Sequence, residues 1–266
     1  MRLLVTNDDG IESPGLRALV NALSDLGAVT VVAPADDQSG VGRARSRTVG
    51  VTDHDEGYAV TGTPADCVAF GLRGLDREFD VVVSGCNHGP NIGAYVLGRS
   101  GTVGAAMEAS FLGVPAVSVS AYHPEEFFPH PPHAFDFSGP ASVARRLVER
   151  ACEKRVFDTL DVLNLNAPTG TPAEMPTMRV TRPYADYDTT VEEDGEATHL
   201  VDTFWASADA HEGPVPDLDA HRDIYPVDSD RHALAEGRIS VSPLRGPQTV
   251  EASTALTDVV SVLNGA

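Results

Sequence analysis

Polar side chains that suit a hard metal ion follow three short apolar runs of the chain. Asp8 and Asp9 follow the first run, Ser39 lies in a polar loop after the second, and Asn87 comes after the third. Carboxylate, hydroxyl and amide oxygens are the ligands that Mg²⁺ or Mn²⁺ takes. If the three runs are neighbouring parallel strands, their carboxyl ends meet at the edge where ligands bind. Each signal alone also fits an ordinary cap or turn, so the prediction depends on the three loops meeting.

A second group of polar residues is typical of an anion site. Asn91 lies in the glycine-containing loop that also holds Asn87, and Ser100, Gly101 and Thr102 directly precede a predicted helix. Backbone N–H groups at a helix N-terminus, with two hydroxyls beside them, bind anions, although Ser or Thr there is also a common helix cap. Next to a divalent cation, such a site indicates a phosphate. Together the two groups predict metal-assisted phosphoryl chemistry.

Other motifs of phosphate and nucleotide chemistry are not supported. Cys67 and Arg73 have the spacing of a cysteine phosphatase, but the intervening residues are apolar and helical. The chain has neither the glycine loop with lysine of a P-loop nor the three-glycine dinucleotide pattern. The metal and phosphate loops therefore remain the only strong chemical signal.

The elements that must position these loops alternate between apolar runs and amphipathic stretches. Short runs that are apolar on both faces predict buried parallel strands covered by helices on both sides, which is a doubly wound α/β fold. Ser13 and Thr63, each followed by proline, are helix start signals. Strands are predicted at 3–5, 29–33, 80–83, 116–120 and 162–165, and helices from 14, at 64–74, at 101–112 and at 140–154.

The sequence changes character after Ala167. Residues 168–238 are rich in Pro, Asp, Thr and His with weak periodicity, which predicts either an extended arm for oligomer contacts or a partly mobile segment. A returning strand is predicted at 239–244 and a last helix at 251–263. We therefore divide the chain into a core at 1–167, an arm at 168–238, and a strand and C-terminal helix at 239–266 that suit exchange between subunits.

The composition predicts which kinds of partner the protein does not bind and in which compartment it works. The 266 residues carry 39 Asp and Glu against 19 Lys and Arg, a formal charge of −20, and Lys154 is the only lysine. Such a charge disfavours nucleic-acid polymers and anionic membranes as partners. Three scattered cysteines and the lack of a signal or spanning segment predict a reduced, cytoplasmic protein. The acidic balance fits a halophilic source, although an ordinary acidic cytosolic protein has the same signature.

Five segments, in this order, resemble the survival protein SurE family: VTNDDGIESPGL, VVAPADDQSGVG, GTPADCV, VVSGCNHGPNIG and SGTVGAAMEA. The resemblance covers residues 1–120 most strongly and continues in VLNLNAP, MRVTRP and RISVSPL. It implies a Rossmann-like three-layer core with an extended arm and an exchanged C-terminal helix, in homodimers or homotetramers. With the acidic composition, it favours a halophilic archaeon as the source.

The same resemblance implies an activity and a ligand set. It implies a metal-dependent 5′(3′)-nucleotidase with one divalent cation per subunit, held by Asp8, Asp9, Ser39 and Asn87. It places the substrate phosphate near Asn91, Ser100, Gly101 and Thr102.

Our hypothesis for the reaction is hydrolysis of a nucleoside monophosphate to nucleoside and phosphate. A water held by the metal or by one of the catalytic pair Asp8 and Asp9 would attack in line, because a metal lowers the pKa of water. Direct attack by an aspartate is an alternative. A broad-specificity or polyphosphate phosphatase and a non-catalytic nucleotide sensor are the alternative functions.

Overall fold

A computed structural model describes residues 1–123, 135–185, 189–195, 197–202 and 222–246, together with positions 254, 259 and 261. The helices of these ranges are α1 (Pro14–Leu23), α2 (Pro64–Gly74), α3 (Ala94–Leu97), α4 (Gly101–Phe111), α5 (Ser138–Glu153) and α6 (Asp230–Ala235). The strands are β1 (Arg2–Thr6), β2 (Ala28–Pro34), β3 (Val51–His54), β4 (Gly57–Val60), β5 (Val81–His88), β6 (Ala116–Tyr122), β7 (Val162–Pro168), β8 (Met178–Val180), β9 (Thr189–Glu193), β10 (Thr198–Asp202) and β11 (Ile239–Leu244).

One nine-stranded sheet forms the centre, in the order β3-β4-β2-β1-β5-β6-β7-β11-β8. The six strands from β4 to β7 are parallel, whereas β3 and β11 each run antiparallel to their inner neighbour. This confirms the predicted doubly wound, mostly parallel α/β fold. Because β1 lies between β2 and β5, the three strands that precede the predicted metal ligands are adjacent.

The core lies on both faces of this sheet because successive side chains of a strand point to opposite sides. Leu3 and Val5 of β1 pack with the apolar faces of α1 and α5. Leu4, between them, packs with α2 and α4 on the other face. Burying each of these leucines stabilises the fold by about 1.5–3 kcal/mol. The two helix layers thereby fix the sheet edge at which the loops converge.

Helix starts agree with the sequence signals. Ser13 caps α1 by accepting a hydrogen bond from the N–H of Leu16, with Pro14 as the first helical residue. Thr63 caps α2 in a reciprocal arrangement with Asp66. The four helices predicted in the core are α1, α2, α4 and α5, and α5 begins two residues earlier than expected, at Ser138.

The third predicted strand is longer than expected. It was expected to end at Val83, but β5 continues to His88, with a shift of its register against β6 between Ser84 and Asn87. Gly85 makes this possible: its φ is +134°, and a Cβ there would lie 2.1 Å from the carbonyl oxygen of Val119. Asn87 therefore lies within the end of a strand and not in a free loop. The β3–β4 hairpin, which extends the sheet beyond β2, was not predicted.

The region from 168 onwards contributes strands to the main sheet and also forms a separate two-stranded hairpin. Strand β8 pairs with β11 in the main sheet, and β11 confirms the predicted returning strand. Strands β9 and β10 form a separate antiparallel hairpin. Most of the predicted last helix at 251–263 lies outside the described residues, and its described positions 254, 259 and 261 are helical.

The structure gives the state of the three cysteines and the character of the described helices. Cys67, Cys86 and Cys152 are free thiols, and the first two are buried. Burial raises the pKa of the Cys67 and Cys86 thiols far above their ordinary value. Within the described ranges, no helix has both the length and the apolar character needed to cross a membrane.

Candidate active site

Asp8 lies just after β1 and is 3% exposed. Its Oδ2 accepts a hydrogen bond from the backbone N–H of Thr102 at 3.0 Å, and its Oδ1 accepts one from the Thr102 hydroxyl. Its backbone carbonyl accepts the N–H of Gln38 at 2.7 Å. Burial raises the pKa of Asp8, whereas the hydrogen bonds from Thr102 oppose that rise. Asp8 is thereby fixed to α4 and to the loop that carries Ser39.

The N-terminus of α4 approaches Asp8 closely. A Cβ on Gly101 would lie 2.8 Å from both the Cβ and the Oδ2 of Asp8, so only glycine fits at this contact. Ser100 caps the helix by accepting the N–H of Val103 at 3.0 Å. The sequence assigned Ser100, Gly101 and Thr102 to a phosphate. The structure directs the Thr102 donors at Asp8, and the phosphate contact stays a prediction.

Asp9 is the second carboxylate of the pair. Its Oδ2 accepts the backbone N–H of His88, at the end of β5, at 3.3 Å. Burial and the negative charge of Asp8 raise the pKa of Asp9 to about 8. Asp37 adds a further negative charge that raises the pKa of both Asp8 and Asp9. Adjacent carboxylates in such a negative environment form a donor set that a divalent cation fits, because the cation neutralises them.

Ser39 and Asn87 have hydrogen bonds that leave oxygen atoms suited to a cation. Ser39 donates its hydroxyl to Oδ1 of Asp37 at 2.6 Å and its N–H to the same atom at 2.8 Å. Asn87 donates from Nδ2 to the carbonyl oxygen of Gly89 at 2.7 Å. Because Ser39 donates its hydroxyl proton and Asn87 bonds to Gly89 through its amide nitrogen, the Ser39 oxygen and the Asn87 amide oxygen keep lone pairs for a cation. Both residues therefore fit the predicted metal site.

A cavity of about 560 Å³ opens beside this set. Asp9, Ser39 and His88 line it together with Glu12 and Phe137. Its volume is within the range of small-molecule sites. Among the residues that the structure describes, no cluster of three or more His, Cys, Asp or Glu is arranged to hold a metal. The predicted set has only two such residues, since its other members are a hydroxyl and an amide.

Asn91 is anchored to the neighbouring strands. Its N–H donates to Oδ1 of Asn166 at 2.8 Å, and its carbonyl oxygen accepts from Asn164 and Asn166 at 2.8 and 3.1 Å. Its Nδ2 donates to the hydroxyl of Ser120 at 2.9 Å. These supporting residues were not predicted from the sequence. The available signal was the pair of asparagines inside the otherwise apolar VLNLNAP strand, because buried amides need partners.

The motifs on these strands and loops are those of a known family. The family model described as survival protein SurE matches residues 3–189. The chain belongs to the survival protein SurE family. This confirms the resemblance drawn from the sequence.

Curated members of the SurE family match nearly the whole chain. The "5′-nucleotidase SurE" of Natronomonas pharaonis is 49% identical over 253 residues, which cover 93% of each chain. That of Halobacterium salinarum is 48% identical over 259 residues, covering 97% of this chain and 96% of the relative. Both relatives come from halophilic archaea, which agrees with the acidic composition.

A solved SurE structure has the same fold. The crystal structure of the SurE protein from Aquifex aeolicus matches with a TM-score of 0.77 at 29% identity. The match covers 99% of this chain and 100% of that chain. The neighbour therefore shares the Rossmann-like, mostly parallel α/β fold of this chain.

Proposed function

We propose that this chain is a metal-dependent 5′-nucleotidase that hydrolyses nucleoside monophosphates to nucleoside and phosphate. The observation that carries the proposal is the Asp8–Asp9 pair after β1, buried at Asp8 and partly buried at Asp9, which contacts the Ser39 loop on one side and the end of β5 on the other. The names of the curated relatives, each a 5′-nucleotidase SurE, support the same activity.

Asp8, Asp9, Ser39 and Asn87 would hold one divalent cation, either Mg²⁺ or Mn²⁺. Such a cation, when bound, offsets the phosphate charge and lowers the pKa of water. The two Thr102 hydrogen bonds hold Asp8 in one orientation, and the His88 N–H orients Asp9. Supporting contacts of this kind fix the direction of ligand oxygens.

The phosphate would lie near Asn91, Ser100, Gly101 and Thr102, at the positive end of α4. Both carboxylate oxygens of Asp8 accept hydrogen bonds from Thr102, whereas Asp9 has a hydrogen bond to one oxygen and lines the cavity. Asp9 is therefore the better placed of the two to take a proton from the attacking water. Asp8 acts mainly as a ligand.

The family resemblance also carries a proposal about assembly. We propose a cytoplasmic homodimer or homotetramer, with contacts from the arm at 168–238 and the segment at 239–266. In the β9–β10 hairpin, Val191 and Leu200 are directly opposite and 61% and 73% exposed. Because a two-stranded hairpin is marginally stable in water, an apolar pair of this kind supports a covering subunit.

Phosphate release by the purified protein in concentrated KCl tests the activity. The substrates are a panel of nucleoside monophosphates, sugar phosphates and polyphosphate, each with Mn²⁺, with Mg²⁺ and with a chelator. We expect metal-dependent release from nucleotides alone. Equal release from every substrate would favour a broad phosphatase, and nucleotide binding without release would favour a sensor.

A further inference from the structure

The loop that follows Ser39, at residues 40–46, lies directly against α4. The N–H of Gly42 donates to the carbonyl oxygen of Arg99 at 2.8 Å. A Cβ on Gly104 would lie 2.5 Å from the Gly42 carbonyl oxygen, so the two backbones touch. The position of this loop on α4, together with the bond from the Gln38 N–H to the Asp8 carbonyl oxygen, sets where Ser39 lies relative to Asp8.

Two arginines of the loop share one buried glutamate of α4. Nη1 of Arg43 lies 3.0 Å from Oε2 of Glu108, and Nη1 of Arg45 lies 2.6 Å from Oε1. The Glu108 side chain is 7% exposed, so these contacts are shielded from water more than a surface pair. The Arg43 guanidinium also lies over the Phe111 ring, 4.3 Å from its centroid.

Arg45 also binds a second buried carboxylate, on α2. Its Nε lies 3.0 Å from Oδ1 of Asp66, whose side chain is 3% exposed. The N–H of Ser46 donates to the same oxygen at 2.9 Å. Burial alone would raise the pKa of Asp66, but hydrogen bonds from Thr63, Ser46 and Arg45 hold it below its ordinary value. Arg45 thus joins the loop to two helices.

Removing Arg45 takes away one of the two cations that Glu108 binds and, among the described residues, the only arginine that contacts Asp66, and both carboxylates are buried, so the loss is costly. Lifting the loop from α4 would break the contacts of Arg45 with Glu108 and with Asp66 together. The loop therefore strongly favours this one position against α4. The bonds of Ser39 to Asp37 lie within the loop and move with it, so the Gln38 N–H to the Asp8 carbonyl holds the loop before Ser39 and Arg45 holds it after Ser39.

We propose that Arg45, through Glu108 and Asp66, is a positioning residue for Ser39 in the metal site. The inference rests on the proposed function, because it assumes that Ser39 binds the cation. Arg45 does not contact the reacting groups in this arrangement. It holds the Ser39 oxygen at the place where Asp8 and Asp9 present theirs.

The test compares Arg45→Met and Glu108→Gln with the wild type and with Arg73→Met. Arg73 is a matched control because its bond to the Leu112 carbonyl oxygen joins α2 to the end of α4 and involves neither Glu108 nor Asp66. Mn²⁺ affinity is measured by electron paramagnetic resonance of the free ion, and backbone hydrogen exchange is followed across residues 40–46. Circular dichroism verifies that each variant is folded.

We expect Arg45→Met and Glu108→Gln to weaken Mn²⁺ binding about tenfold and to accelerate exchange across the loop. Arg45→Lys should recover part of the affinity, because an ammonium satisfies one carboxylate but not the forked contact with two. Arg73→Met should match the wild type in both measurements. Since these readouts do not depend on turnover, a purely catalytic defect would not produce them.

Wild-type Mn²⁺ affinity in folded Arg45→Met and Glu108→Gln would overturn the inference and leave the proposed function standing. An equal loss in Arg73→Met would also overturn it, because the effect would then come from general destabilisation of α2 and α4. A wild-type protein that binds no Mn²⁺ would overturn the proposed function and this inference together.

Discussion

The carboxylate of Asp8 accepts both polar donors of Thr102, the backbone N–H and the side-chain hydroxyl. Asp8 comes from the end of β1 and Thr102 from the first turn of α4, so one contact joins the central strand to the helix that covers it. The positive end of a helix stabilises a carboxylate at this place. The contact gives Asp8 a single orientation before any ligand binds.

Thr102→Val removes the hydroxyl and keeps the shape of the side chain. We expect kcat/KM for a nucleoside monophosphate to fall about 10–100-fold, because Asp8 loses a bond that orients it. The measurement is Mn²⁺-dependent phosphate release. Thr159→Val is the matched control, since the Thr159 hydroxyl is exposed and donates only to a local carbonyl oxygen. Equal activity in the two variants would contradict the orienting role.

The methyl group that Gly101→Ala introduces would lie only 2.8 Å from the Cβ and the Oδ2 of Asp8. We expect this variant to displace the carboxylate and lose most of its turnover while its circular dichroism stays helical. Gly98→Ala is the control, because a Cβ at Gly98 would lie 3.7 Å from its nearest neighbour, which is an ordinary contact. Wild-type activity of Gly101→Ala would show that the close approach is not needed.

Asp8→Asn and Asp9→Asn replace a carboxylate by a neutral amide of the same size. Because an amide binds a hard cation less well, each variant should lose turnover and Mn²⁺ binding while remaining folded. Titration with Mn²⁺ and phosphate release are measured on the same preparation. Near-normal activity in both variants would refute the metal assignment.

Asn166→Ala removes the side chain that both accepts from and donates to the backbone of Asn91. It leaves the buried Asn91 N–H without that partner, which costs about 1–3 kcal/mol in the free energy of unfolding. Urea unfolding measures the change. Asn21→Ala, at an exposed position of α1, is the control and should change stability by less than about 0.5 kcal/mol. A similar small change in both would argue against the asparagine network.

The parts of the fold that the sequence predicted have local causes. Ser13 with Pro14 and Thr63 with Pro64 are capping signals that depend on a few adjacent residues, and the structure begins α1 and α2 there. The buried strands were recognisable because both their faces are apolar. The rule for strand ends placed the Asp8, Ser39 and Asn87 segments at one edge of the sheet, and the strand order β2-β1-β5 makes them adjacent.

The parts that escaped prediction depend on residues far apart in sequence. The extension of β5 requires the Gly85 backbone to approach Val119. The position of the Ser39 loop against α4 requires Arg45 to contact Glu108, which is 63 residues away in the sequence. The Asn91 anchor links it to Asn166 across 75 residues. Such pairs leave no periodic pattern, and only the fold brings them together.

The two halves of the site are held by different kinds of bond. Neutral amides of Asn164 and Asn166 fix the Asn91 backbone, whereas charged groups fix the loop of Ser39. Dissolved ions screen charges and leave neutral hydrogen bonds nearly untouched. The Arg43 and Arg45 side chains are 44% and 45% exposed, so a change in ionic strength acts on the charged contacts of the Ser39 loop more than on the asparagine anchor of Asn91. The backbone bonds of Gln38 and Gly42 hold the loop at any salt concentration, so the ionic medium adjusts one side of the site against a nearly fixed other.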